Sequence, residues 1–139
     1  MSDKPGQVTN CAHGVCNPRR TQNLMTNPQR GEQIMVELNG PGVFLAAEVV
    51  KGGGDSGLTS VQLDIDGRNV TGLTFIAAEN GGFTQYNPYG IVLLRSNVLK
   101  TLTIGFPSPL RFDANLKLIV NANEDNVENI VINVIHGTV

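Results

Sequence analysis

The sequence predicts an all-β fold, an antiparallel β-sandwich preceded by an irregular N-terminal arm. From about residue 32 onward, segments of alternating apolar and polar residues recur at a spacing of roughly 8–12 residues, and glycine, proline, asparagine and aspartate separate them. No segment shows the 3.6-residue apolar period of a long amphipathic helix. The chain has 139 residues, which is enough for one domain.

Residues 1–31 form the predicted flexible arm. They include Pro5, Pro18 and Pro28, and their few apolar side chains follow neither a strand period nor a helix period. We expect this segment to be either a disordered tail or an arm that becomes ordered on a partner subunit. The predicted sandwich domain then occupies residues 32–139.

Eight strands are predicted within the domain. They cover residues 33–38, 43–51, 58–66, 69–78, 91–94, 98–106, 110–121 and 127–136. The strongest hairpin signal is Asp66-Gly67, because both residues tolerate the positive φ angles of a type I′ turn. Pro107-Ser108-Pro109 predicts an extended corner after the sixth strand. Eight strands in a domain of this length are typical of a single jelly roll.

The core is predicted from two strands near the C-terminus. Segment 110–121 has the clearest alternation, so we expect Phe112, Leu116 and Leu118 to be buried. Segment 127–136 carries apolar side chains on both faces, which favours a central strand or one buried against a neighbouring subunit.

The composition indicates a globular protein with few charges. Charged residues make up 16% of the chain, against about 25% in a typical soluble domain, and the formal net charge is −2. Such a chain has no general attraction for nucleic acid or anionic membrane, so we expect neither as a partner. No apolar run approaches about 18 residues, and residues 1–10 lack the apolar stretch of a secretory signal. We therefore expect no transmembrane segment and synthesis in a cytoplasm.

Cys11, His13 and Cys16 place three metal-binding side chains within a short segment. Structural zinc sites usually combine two such clusters, and this sequence has one. Three states remain open: free thiols, a Cys11–Cys16 disulfide or a metal site. Because no fourth ligand is evident, we predict that no metal is needed.

Asp64 and Asp66 precede Gly67 in a pattern that faintly resembles a calcium-binding loop. An EF-hand loop requires a glutamate at its twelfth position, which counted from Asp64 is Phe75. We interpret the segment as a hairpin turn whose aspartates point outward.

No catalytic motif is evident. His13 and His136 are the two histidines, neither has a nucleophile beside it in the sequence, and no G-x-S-x-G, H-E-x-x-H or P-loop motif occurs. We predict that the protein is not an enzyme and that it uses no cofactor.

The loop at 83–90 is the best candidate for contact with a ligand or another subunit. Phe83, Tyr86 and Tyr89 lie among polar residues that include Asn87. Aromatic rings stack on sugars and amides bond to hydroxyl groups, which suits carbohydrate. The alternative is that the rings cap one end of the sandwich or pack against a neighbouring subunit.

Three segments carry a resemblance to a known family. They are 61–66 (VQLDID), 89–94 (YGIVLL) and 130–139 (IVINVIHGTV). In layout, residues 58–139 resemble the single jelly-roll pentameric vertex (penton) proteins and minor capsid proteins of tailless, membrane-containing icosahedral phages. The resemblance implies a capsid subunit of the virion that forms a homo-oligomer, a pentamer at the five-fold vertex, with other capsid proteins as partners. It transfers no functional residue, and the Cys11/Cys16 pair departs from it.

Two function classes follow. The first is a self-assembling structural subunit, which the scarcity of charge on the predicted strands also favours, because uncharged strand edges tend to pair with other chains. The second is a non-catalytic carbohydrate-binding or adhesion module that uses residues 83–89. The mass of the protein in solution discriminates them, because only the first class requires an oligomer.

Overall fold

The computed structural model describes residues 11–12, 15–95 and 99–139. Over these residues the chain forms ten β-strands and one short α-helix. In chain order they are β1 (Cys11–Ala12), β2 (Val15–Thr26), β3 (Gly31–Asn39), β4 (Gly42–Gly53), β5 (Thr59–Ile65), β6 (Arg68–Thr74), α1 (Phe75–Asn80), β7 (Ile91–Arg95), β8 (Leu99–Phe112), β9 (Asn115–Ala122) and β10 (Val127–Thr138).

The strands form two antiparallel sheets that pack face to face. The six-stranded sheet has the order β1-β2-β10-β4-β8-β7, and the four-stranded sheet has the order β3-β9-β5-β6. Strands β2 to β6 and β8 to β10 make up an eight-stranded unit. Within this unit the first strand (β2) pairs with the last (β10), the second (β3) pairs with the seventh (β9), and the third (β4) pairs with the sixth (β8). This is the arrangement of a jelly roll, so the predicted all-β sandwich fold is confirmed.

The inner faces of the two sheets form the core. Phe112, Leu116 and Leu118 are 2%, 0% and 0% exposed, so the prediction that they are buried is confirmed. Strand β10 lies between β2 and β4, which confirms its predicted central position. Its inward side chains, Ile130, Ile132 and Val134, are completely buried, whereas its outward side chains are only partly covered.

The boundary of the predicted N-terminal arm differs from the structure. Residues Val15–Thr26 form β2, which pairs with β10 along nearly its whole length, so the sandwich begins well before residue 32. Strand β2 lies near one edge of the six-stranded sheet, next to the two-residue strand β1. Because β2 buries few of its side chains, its sequence lacks an alternation of apolar and polar residues. Pro18 is compatible with such an edge strand. Residues 1–10 of the predicted arm lie outside the described residues.

The predicted strand 69–78 is also corrected, because its second half is helical. Strand β6 ends at Thr74, whose side chain caps α1 by accepting a hydrogen bond from the Ala77 backbone N–H at 3.0 Å. Phe75 and Ala78, three residues apart, are both fully buried on one side of the helix. No helix in the described parts of the chain has the length and apolar character needed to cross a bilayer.

The predicted strand 110–121 is in fact two strands in different sheets. Strand β8 ends at Phe112 and β9 begins at Asn115. The carboxylate of Asp66 accepts hydrogen bonds from the backbone N–H groups of Asp113, Ala114 and Asn115, which fixes the intervening turn. These bonds hold the pKa of Asp66 below its usual value. The alternation misled the prediction because the two-residue turn preserves the inward-outward order.

The Asp66-Gly67 hairpin is confirmed. Both residues have positive φ angles, 52° and 79°, and the two-residue loop joins Ile65 to Arg68. The Pro107–Pro109 segment, by contrast, does not end a strand. It belongs to a bulge inside β8, where the register with β4 jumps between Phe44 and Ala46.

A buried ion pair closes one end of the sandwich. Lys51 at the end of β4 donates to Glu124 in the β9–β10 turn, with Nζ–Oε2 at 2.7 Å and side chains 2% and 0% exposed. The Glu124 carboxylate also accepts hydrogen bonds from the Gly57 N–H, and from both the N–H and the hydroxyl of Thr59. The Lys51 ammonium lies 4.9 Å from the centre of the Phe75 ring. The pair thus joins both sheets and α1.

The surroundings of Glu124 keep its carboxylate ionised. Burial alone would raise its pKa, but the hydrogen bonds from Lys51, Thr59 and Gly57 outweigh burial and lower the pKa to about 2. Gly54, with a φ of +94°, passes so close to Oε1 that a side chain there would collide with it. A glycine is therefore required at this point of the loop.

Replacing Leu116 by alanine tests the core. The side chain is fully buried, so we expect the free energy of unfolding to fall by about 2–5 kcal/mol, measured by urea denaturation. Leu58→Ala is the matched control, because Leu58 is 46% exposed. A loss under about 0.5 kcal/mol for Leu116→Ala would contradict the assignment.

Replacing Glu124 by glutamine tests the ion pair. The change leaves the Lys51 ammonium buried without a counter-charge, and we expect a loss of about 3–5 kcal/mol in the free energy of unfolding. Asp125→Asn is the control, because both side chains of the Arg30–Asp125 pair are exposed and water screens their attraction, so we expect a much smaller loss. Equal losses of unfolding free energy for the two variants would show that the buried ion pair contributes no more to stability than the exposed one.

The pH dependence of stability gives an independent test of Glu124. Its pKa is about 2 in the folded chain and near 4.5 when unfolded, so on acidification the unfolded state takes up the proton first. The contribution of Glu124 is complete above about pH 4.5 and declines as the pH falls towards 2. We expect the difference in unfolding free energy between the wild type and Glu124→Gln to narrow over this range. A difference independent of pH would contradict the assignment.

Candidate functional site

The predicted aromatic loop connects α1 to β7 and is braced from within. The Phe83 ring packs against the core and stacks on Tyr89, with ring centres 5.6 Å apart. The Asn87 amide donates to the backbone oxygens of Gln85 and Ile91 at 3.0 and 2.6 Å, and its oxygen accepts from the Tyr89 N–H. Phe83 and Asn87 therefore hold the loop in shape.

The two tyrosines of the loop remain accessible. Tyr86 is 67% exposed and Tyr89 is 63% exposed. The Tyr89 backbone oxygen accepts a hydrogen bond from the Thr71 hydroxyl at 2.8 Å, which ties the loop to β6. Of the four predicted contact residues, these two present their side chains to the outside.

Tyr86 lies at the edge of a groove of about 940 Å³ on the outside of the six-stranded sheet. Gly90 lines the groove from the loop, Phe106 lines it from the bulge of β8, and Ala46 and Ile135 line it from the sheet. The groove is mostly apolar and open to solvent. It continues onto the outward side chains of the sheet.

Those outward side chains form a surface that we call the six-strand outer face. The strand register arranges them in three cross-strand rows. The rows are Arg20, Ile135, Ala46 and Gly105; then Gln22, Asn133, Glu48, Thr103 and Val92; and then Leu24, Val131, Val50, Thr101 and Leu94. Arg20 and Glu48 are the charged members of these rows.

The six-strand outer face carries three well-exposed apolar side chains. Leu24 is 58% exposed, Leu94 is 53% exposed and Ile135 is 37% exposed. Near the centre of the face, the Asn133 side-chain oxygen is buried and accepts no hydrogen bond within the described chain. The side-chain oxygen of Asn121, on the opposite sheet, is buried and unpaired in the same way.

The opposite surface, which we call the four-strand outer face, is more highly charged. Its rows are Glu32, Asn121, Ser60 and Thr74; then Ile34, Ile119, Gln62 and Gly72; and then Glu37, Lys117, Asp64 and Asn69. Lys117 lies 4.0 Å from Glu37. The two outer faces thus differ mainly in their number of charged side chains.

The remaining predicted site residues have structural roles. Cys11 and Cys16 form a disulfide that joins β1 to β2, which decides among the three states left open by the sequence. His13 lies outside the described residues. The Asp64 carboxylate accepts hydrogen bonds from Gln62 and Asn69. Among the described residues no cluster of three or more histidine, cysteine, aspartate or glutamate side chains is placed to hold a metal.

Sequence reasoning missed the part of the six-strand outer face that β2 supplies. Arg20, Gln22 and Leu24 were assigned to the arm, because their inward neighbours Thr21 and Asn23 are polar. When the inward residues of a strand are polar, its sequence shows no alternation of apolar and polar residues from which the strand could be predicted.

Comparisons with known proteins support the fold. No protein-family model matches the chain, and no curated protein matches its sequence. Among solved structures, the chain is similar to one from the acidic stable capsid structure of Helicobacter pylori bacteriophage KHP30. The TM-score is 0.54 with 16% identity, over 94% of this chain and 93% of that one. A second match, to Aeromonas hydrophila PliG, a periplasmic inhibitor of g-type lysozyme, has a TM-score of 0.32 with 9% identity over 91% of each chain.

Proposed function

We propose that the chain is a non-catalytic structural subunit of a bacteriophage capsid and that it self-associates through its β-sandwich. The observation that carries the proposal is the jelly-roll fold, shared over nearly the whole length with a chain of the KHP30 capsid structure. At 16% identity the comparison supports a shared fold. The support for self-association comes from the surfaces of the chain.

The six-strand outer face supports self-association. It combines exposed apolar side chains with very few charges, and such patches on small domains are typical of protein contacts. The protein would reside in the virion, with other capsid proteins as neighbours. The five-fold vertex position is the finer part of the proposal, and it rests on the sequence resemblance to penton proteins.

A second candidate is a carbohydrate-binding or adhesion module. It is favoured by one observation, that Tyr86 is exposed beside an open groove of about 940 Å³. A Tyr86→Ala variant separates the two candidates. Loss of binding to a glycan array, without change in oligomeric state, would support the adhesion role.

Native mass spectrometry of the purified protein tests the capsid proposal. We expect a species containing several copies of the 14.9 kDa chain at tens of micromolar protein, and a five-copy ring is the outcome that the vertex position requires. A closed oligomer of another size would retain self-association and exclude the vertex position. A strict monomer at all concentrations and salt conditions would contradict the proposal.

A further inference from the structure

We infer that the six-strand outer face is a contact surface for the same face of a second copy of this chain. The inference rests on the proposed capsid function and deepens it, because it assigns one surface to the self-association. The contact is isologous, with the same residues on both sides, so it joins copies in pairs. It is therefore a different contact from the one that closes a ring at a vertex.

Two opposite charges on this face point to an identical partner. Arg20 has no hydrogen-bond or ion-pair partner within the described chain. Glu48 receives one long hydrogen bond, from the Asn133 amide at 3.4 Å. The strand register places Arg20 and Glu48 two strands apart and two residues apart along the strands, so their backbones are separated by about 12 Å. In the structure they do not pair with each other within one copy.

A two-fold axis brings these charges together between copies. An axis that lies in the contact and bisects the line from Arg20 to Glu48 places Arg20 of each copy opposite Glu48 of the other. Two intersubunit ion pairs result. The axis crosses β10 between Asn133 and Ile135, so these two residues lie near the centre of the contact.

The size of the face matches the requirement of a stable pair. Four neighbouring strands of 12 to 14 residues, β2, β10, β4 and β8, at about 4.8 Å spacing give a surface on the order of 800 Å². A standard specific interface buries about 800 Å² per partner. The six-strand outer face can therefore supply one side of such an interface without help from other surfaces.

The apolar side chains fit the same arrangement. Leu24 on β2 and Leu94 on β7 lie at the two ends of one cross-strand row, with Val131 and Val50 between them. A sheet face with few charges can pack against another sheet face, at a separation of about 10 Å. The four-strand outer face, with Glu32, Glu37, Asp64 and Lys117, would place charges at such a contact.

Charge-reversal variants test the contact directly. Arg20→Glu and Glu48→Arg each create like charges at both symmetric positions, so we expect each to weaken pair formation by about a hundredfold or more. An equimolar mixture of the two variants restores opposite charges at both positions, so we expect mixed pairs to form with nearly wild-type affinity. Analytical ultracentrifugation gives the dissociation constants, and circular dichroism verifies the fold.

Matched substitutions on the two outer faces provide the control. Leu24→Glu and Ile34→Glu introduce the same charge at apolar residues of similar exposure, 58% and 50%, on opposite sides of the sandwich. We expect Leu24→Glu to weaken the pair by at least about tenfold and Ile34→Glu to leave it unchanged. Glu37→Lys serves as the charge control on the four-strand outer face.

The outcomes separate the inference from the proposed function. If the wild type associates and Arg20→Glu and Leu24→Glu associate equally well, the inference is wrong while the capsid function stands. The same holds if the equimolar mixture of Arg20→Glu and Glu48→Arg pairs no better than either variant alone. If the wild type stays monomeric, the proposed self-association is itself contradicted, and the inference is lost with it.

Discussion

The buried ion pair between Lys51 and Glu124 fixes the end of the sandwich on which the candidate site depends. It links the end of β4, the start of β5 and the β9–β10 turn, and through the Phe75 ring it also positions α1. The loop that follows α1 carries Tyr86 to the edge of the groove. Removing one partner of a buried ion pair leaves the other charge uncompensated and away from water, which is strongly destabilising. Few substitutions are therefore tolerated at this end of the fold. At the other end of β5, Asp66 performs a similar task with three backbone N–H groups.

A two-layer sandwich of this size uses one face of each sheet for its core and leaves two faces outside. The two outer faces of this protein differ in kind. The four-strand outer face carries the charges expected of a surface in water, whereas the six-strand outer face carries few charges and several exposed apolar side chains. The proposed self-association would account for this difference in charge, and the open groove beside Tyr86 would then border the contact surface.

The sequence predicts those features that depend on local alternation and on turn chemistry. Leu116 and Leu118 are recognisable as core because they alternate with polar residues, and Asp66-Gly67 is recognisable as a turn because of its φ preferences. Strand β2 is not recognisable, since it is stabilised by pairing with β10 rather than by burial of its own side chains. The hydrogen bonds of Glu124 are likewise invisible, because they join residues about 70 positions apart in the chain. The candidate site combines both cases: the sequence predicted its loop and most strands of its sheet, but not β2.

The most direct test of the account is a structure of the protein in its assembled state, determined by cryo-electron microscopy or crystallography. We predict that the six-strand outer face of one copy covers the same face of another copy. Each Arg20 guanidinium should then lie within about 4 Å of the Glu48 carboxylate of the other copy, and Asn133 should lie near the two-fold axis. The proposed contact would be contradicted by an assembly in which copies meet through the four-strand outer face and the six-strand outer face is exposed to solvent.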